Sequence, residues 1–255
     1  MMNSLYTAAT GMSAMQTNVD VIANNLANVN TNGFKGSRLS FEDLLYQQIG
    51  DRQSARQGAQ SGMGVAQGRT ELSFTQGDMR ETGVGTNMAI EGEGFFQVAL
   101  PDGSIGYTRD GSFEVDANGQ IVTKGGFQLE PIIGVPMEAQ PGSLKISTDG
   151  LVTCLMNGAT TVLGQIETAT FANQNGLAAL GGNVFAATVN SGAPAIANPG
   201  ANGTGIVTQG SVEGSNVSVM TEMVDMINAQ RAFESVSKVI STSDEMLGIA
   251  NAMRR

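Results

Sequence analysis

The chain has 255 residues, 41% of them apolar, enough to fill a core in one large domain or two small ones. A formal charge of −10 opposes attraction to phosphate backbones and argues against a nucleic-acid partner, while the lack of histidine removes the commonest general base and neutral metal ligand. With Cys154 as the single cysteine, neither an intrachain disulfide nor a Cys/His zinc site can form; the expectation is a buried thiol, no cofactor and no enzyme.

No lysine or arginine precedes Lys35, and no apolar run approaches about 18 residues, so neither a cleaved secretory signal nor direct membrane insertion is expected. From Leu5 the positions Ala8, Met12, Met15, Val19, Ile22, Leu26 and Val29 follow at alternating steps of three and four, the spacing of a coiled-coil seam on a helix. Five asparagines then crowd into residues 24–32. Asn30, Thr31, Asn32 and Gly33 read as a helix stop, because Asn and Gly tolerate the left-handed backbone that ends a helix. Asn24, Asn25 and Asn28 lie ahead of that stop and off the seam, where amides that donate and accept are expected to set register against sister chains.

Residues 36–90 follow as an extended arm or hairpin linker. "FEDLLY" at Phe41 to Tyr46 is a compact apolar-acidic element, and "GDRQSARQGAQSGMG" supplies almost no core-forming side chains. Residues 91–214 are expected to form a β-rich domain, with short strands separated by Asp102-Gly103, Asp110-Gly111, Asn118-Gly119, Asp149-Gly150 and Asn157-Gly158, all read as hairpin turns. Alternation at Phe113, Val115, Ile121 and Thr123 fits half-buried strands, and residues 172–210 read as irregular loops and short strands.

Several motifs in this region fall short of a chemistry. "DANG" at Asp116 to Gly119 has its glycine at the wrong position for a calcium loop and no closing glutamate in register. "GEGFFQ" at Gly92 to Gln97 leads into a strand rather than a helix, the reverse of a dinucleotide loop. Glu42 with Asp43, and Glu222 with Asp225, read as solvated acids rather than a glycosidase pair.

At the far end Ala229, Ala232, Val236, Val239, Met246, Ala250 and Met253 share one heptad row broken by Ser243, and Met226, Phe233, Ile240 and Leu247 form a second. Two adjacent rows make a band wider than one partner helix covers. The predicted fold is therefore α+β: terminal helices at 1–35 and 215–255 forming one discontinuous coiled-coil-like assembly domain, with a mainly antiparallel β domain inserted between them.

Four stretches, "MMNSLYTAATGMSAMQTNVDVIANNLANVNTNGFK", "FEDLLYQ", "GFFQV…YTRDGSFEVDANGQIVTKGGFQL" and "GSNVSVMTEMVDMINAQRAFESVSKVISTSDEML", run in order through nearly the whole chain. Together they resemble the bacterial flagellar rod and hook family, and "FEDLLYQ" after "NTNGFK" is most similar to its distal-rod subunits. The resemblance implies a structural protein of the basal body that polymerises into a hollow helical drive shaft. It implies contacts with its own copies and with neighbouring rod and hook subunits, and passage through the flagellar type III export apparatus without a cleaved signal. The terminal helices, Leu5 to Val29 and Val219 to Met253, would line the tube. Leu5, Met12, Met15, Val19, Ile22, Asn24, Asn25, Leu26, Asn28, Val29, Met226, Phe233, Val236, Val239, Ile240, Met246 and Leu247 are the expected interface positions, and Phe41 with Leu45 the export-recognition pair. A hook or proximal-rod subunit, or a secreted β-rich binding module, are the alternatives.

Overall fold

The computed structural model describes residues 2–44, 46–49, 59–136, 142–156 and 159–253. The chain divides into two compact units, one of Met1–Ala27, Ser37–Leu72 and Ser218–Arg255, the other of Asn28–Gly36 and Ser73–Val217.

The first unit is built on two helices, α1 (Met2–Ala27) and α2 (Val219–Ala252). At a rise of about 1.5 Å per residue they run roughly 39 and 51 Å. Strands β1 (Ser37–Asp43), β2 (Tyr46–Ile49), β3 (Ala59–Gly62) and β4 (Val65–Leu72) form a nested antiparallel hairpin, β1 on β4 and β2 on β3. A register shift between Leu39 and Phe41 interrupts the β1–β4 ladder. The helix α1 packs on α2, β1 and β4.

Helix α1 ends at Ala27, two residues before the last seam position, Val29. Asn28 and Val29 lie in the turn beyond Ala27, where Thr31 donates its amide to Asn28 O at 3.0 Å and its hydroxyl to Asn28 Oδ1 at 3.2 Å. The asparagine run thus satisfies its own backbone locally, in competition with a further helical turn. At Gly33 the backbone takes φ 67°, and a side chain there would strike the Arg109–Asp110 backbone, so glycine is required twice over.

The second unit is antiparallel throughout. Its strands are β5 (Met79–Glu81), β6 (Met88–Glu91), β7 (Phe95–Ala99), β8 (Ile105–Thr108), β9 (Phe113–Val115), β10 (Ile121–Thr123), β11 (Gln128–Glu130) and β12 (Lys145–Ile146). They continue with β13 (Leu151–Met156), β14 (Ala159–Gln165), β15 (Thr168–Thr170), β16 (Ala178–Gly181), β17 (Val184–Ala186), β18 (Ala195–Ala197), β19 (Ile206–Gln209) and β20 (Ser211–Glu213). The main sheet runs β16-β17-β8-β7-β11-β10-β9, with β15 joining β7 and β18; a smaller sheet runs β12-β13-β14, and β19 pairs β6 while β20 pairs β5. Met88, Ile90, Phe96, Phe113, Ile121, Leu129, Val152, Ile166 and Val207 fill the core between them. Beside it Phe74, Phe95, Phe171, Phe185 and Tyr107 meet edge to face. Cys154 is buried in this unit as a free thiol.

The Asp110-Gly111 pair is not a hairpin turn. Strands β8 and β9 do not pair; Gly111 O instead accepts the Met88 amide at 3.0 Å, and a Cβ at Gly111 would collide with Met88 O. Glycine serves close backbone approach here rather than a turn conformation. Val115, at the end of its strand, is exposed rather than half-buried. The Asn157-Gly158 turn falls outside the described residues.

Candidate assembly surface

In the helical unit two side-chain amides, Asn25 and Gln67, tie the elements together. Asn25 is 2% exposed; its amide donates to Ser37 O at 2.8 Å and to Glu222 Oε2 at 3.3 Å, and its carbonyl accepts the Ser37 amide at 2.9 Å. One side chain thereby ties α1, the start of β1 and the first turn of α2. On the other side Gln67 of β4 donates to Ser13 O at 3.1 Å and to Thr17 Oγ1 at 2.8 Å. A groove of about 620 Å³ runs between these elements, with Met15, Ile22, Leu39 and Ala229 on its apolar walls and Glu222 and Asp225 at its acidic edge.

The expected interface positions divide by burial. Ile22 and Asn25 are buried inside the single chain. Leu5, Met12, Met15, Val19 and Leu26 of α1, and Met226, Phe233, Val236 and Ile240 of α2, are half-buried, while Asn24, Val239 and Met246 face solvent. Asn28 and Val29 belong to the turn after α1, and the Leu247 side chain lies outside the described residues. Phe41 is exposed on β1, and Leu45 lies outside the described residues.

A third face of α2 was not anticipated from the heptad rows. Met220, Met223, Val224 and Ile227 are all exposed, Met220 at 74%; nearer the other end Ile249 is exposed too, as is Met253 of the first heptad row. The spacing of 220, 224 and 227 is itself the i, i+4, i+7 signal of one helix face, so a row-by-row scan would have found it. Burying one such side chain contributes about 1.5–3 kcal/mol, and apolar surface of this extent on one helix marks a contact site.

Charge is concentrated differently in the β unit. Glu213 is fully buried, with Oε1 at 2.6 Å from Lys35 Nζ and Oε2 at 3.1 Å from the Arg109 guanidinium. Burial lowers the Lys35 pKa and Glu213 opposes that shift; burial likewise lowers Arg109, again against the pull of Glu213. The members of this group of charges are at most 3% exposed, closed off from solvent. Among the described residues no cluster of His, Cys, Asp and Glu could hold a metal ion, and no helix is long and apolar enough to cross a membrane.

Three family models match along the chain: the flagella basal body rod protein model over residues 5–35, the flagellar hook protein FlgE/F/G D1 domain over 89–154, and the flagellar basal body rod FlgEFG protein C-terminal model over 208–253. The flagellar basal-body rod protein FlgG of Borreliella burgdorferi is 47% identical over the full length of both chains. The chain belongs to the FlgG family. FlgG of Buchnera aphidicola subsp. Acyrthosiphon pisum is 48% identical over 97% of this chain and 98% of its own, and FlgG of Bacillus subtilis 40% identical over 97% of each. The flagellar hook protein FlgE of Helicobacter mustelae is 42% identical, but over 51% of this chain and 30% of its own. The FlgG-family match thus spans both helices and the β unit, whereas the hook match spans half.

Proposed function

We propose that this chain is a structural subunit of the flagellar basal-body rod, in its distal part, and that copies polymerise through α1 and α2 into a hollow helical shaft that carries motor torque to the hook. The observation that carries the reading is the exposed apolar surface of α2, from Met220 to Met253, in a chain whose full length matches FlgG proteins. A surface of that kind marks a contact site, and identical neighbours on a helical lattice would cover it in every copy. Many modest contacts repeated along the lattice then resist torsion without any one being strong.

In this reading the unit of 1–27, 37–72 and 218–255 is the assembly domain with its arm, and the unit of 28–36 and 73–217 the outer β domain, in place of the expected bounds 1–35 with 215–255, 36–90 and 91–214. The half-buried and exposed members of the expected interface set, from Leu5 to Met246, meet neighbouring copies and adjoining rod and hook subunits. Ile22 and Asn25 instead hold each copy together. Phe41 stands exposed for recognition by the type III export apparatus. The role is mechanical, with no catalytic step.

The test is complementation. In a flagellated bacterium lacking its own FlgG, this chain is expected to restore basal bodies with a complete rod and hook. Basal bodies that still end before the distal rod would overturn the reading, and a curved rather than straight assembly from purified protein would favour a hook subunit.

A further inference from the structure

The chain passes between its two units after Ala27, Gly36, Leu72 and Val217. Next to three of those passages, within the β unit, the segments 33–36, 73–78 and 213–216 are cross-tied side by side. Gly33 donates its amide to Glu213 O at 2.8 Å, Ser73 to Gly36 O at 2.8 Å, and Gly214 to Asp78 O at 2.8 Å. Asn216 bridges all three: its Oδ1 accepts the Gly36 amide at 2.8 Å, and its Nδ2 donates to Ser73 O at 2.7 Å.

Glu213 completes the tie from inside. Besides Lys35 and Arg109, its Oε1 accepts the Gly77 amide at 2.9 Å. Lys35 also donates to Thr75 O at 2.7 Å, and Arg109 reaches Gly92 O at 2.8 Å while its guanidinium lies 5.4 Å from the centre of the Phe95 ring. The group therefore anchors the three segments to the main sheet.

Such a group is a poor way to gain stability. Buried ion pairs are often no better than apolar residues of the same volume, and here Arg109 Nε has no acceptor, which adds a desolvation cost. What charge-assisted hydrogen bonds supply, and apolar packing does not, is direction: each fixes one atom against another along a set line.

We infer that Lys35, Arg109, Glu213 and Asn216 form a clasp of positioning residues that locks the three segments at the root of the β unit, so that force entering along the chain passes into the sheet without those segments slipping. The mechanical part rests on the shaft reading above. The clasp itself does not.

Amide exchange on the purified full-length chain tests the clasp alone. In Asn216→Ala, exchange at Gly36 is expected to rise at least tenfold while Phe96 and Val98 in the sheet stay unchanged. In Asn216→Asp, which keeps an acceptor for the Gly36 amide but loses the donor to Ser73 O, Gly36 is expected to stay protected. A Lys35→Met/Arg109→Met/Glu213→Leu chain is expected to keep a thermal midpoint at or above the parent's while Gly33 and Gly77 exchange at least tenfold faster. Unchanged exchange at Gly36 in Asn216→Ala, or an equal rise across the sheet, overturns the clasp.

Should the triple variant fail to fold, the two Asn216 variants decide alone. In cells, Asn216→Ala is expected to swim like the parent in thin medium and to lose more than half of the parent's speed in viscous medium. Equal speeds under load overturn the mechanical role. Failure of the unaltered chain to build rods would instead count against the shaft reading and leave the exchange result standing.

Discussion

Glu213 lies 2.6 Å from the Lys35 ammonium, although 178 residues separate them along the chain. The pair joins the segment that follows α1 to the segment that precedes α2, and Arg109 holds the same carboxylate from the sheet. Removing the carboxylate charge leaves two buried cations facing each other. Glu213→Gln is therefore expected to lose about 3–5 kcal/mol of stability, read as a lower urea midpoint, where the all-apolar replacement loses little or nothing. A Gln variant as stable as the parent would mean the pair is not electrostatically closed.

The same burial gives a pH dependence with a definite sign. The ordinary lysine value is near 10.5, and burial holds Lys35 below it in the folded chain. Between the lowered value and 10.5 the unfolded chain binds more protons than the folded one, so this residue's contribution to stability rises as pH rises through that window. Urea unfolding of the parent and of Lys35→Met at increasing alkaline pH should show the more positive slope in the parent. An identical slope, or a steeper fall in the parent, contradicts it.

Asn25 is the corresponding joint of the helical unit. Asn25→Ala removes the bonds to Ser37 and Glu222 and strands the Ser37 amide, at a cost of about 1–3 kcal/mol. The loss should be local, with trypsin cutting after Arg38 on β1 at an early time while fragments from the β unit persist. Protection at Arg38 equal to the parent's would show that α1 holds β1 by packing alone.

On α2, Ile227→Glu adds a charge to a face that is exposed in the single chain. Stability of the isolated subunit should shift by no more than about 0.5 kcal/mol, whereas assembly should fail because every copy carries the charge into the contact. Circular dichroism and electron microscopy of basal bodies separate the two effects. Intact rods in this variant would place the contact elsewhere on the helix.

Much of the architecture could be read from local patterns. Seven-residue spacing gave both helices, and turn dipeptides with short apolar runs gave an antiparallel domain between them. The local rules failed where one residue type serves two purposes. Gly111 answers to Met88 O rather than to a turn. Asn25 looked suited to a sister chain, yet β1 starts only ten residues after α1 ends and brings Ser37 to it first. Lys35, Arg109 and Glu213 are single charged residues in unremarkable surroundings, and no periodicity links positions so far apart. Their pairing is a property of topology alone.

That topology sets an order of events. A chain completed from its amino end has Lys35 and then Arg109 in place well before Glu213 arrives, and until then the two cations lack the carboxylate that pairs with both. Contacts of such long sequence separation form late. Premature closure of the β unit is thereby disfavoured, and the last strand, β20, completes it.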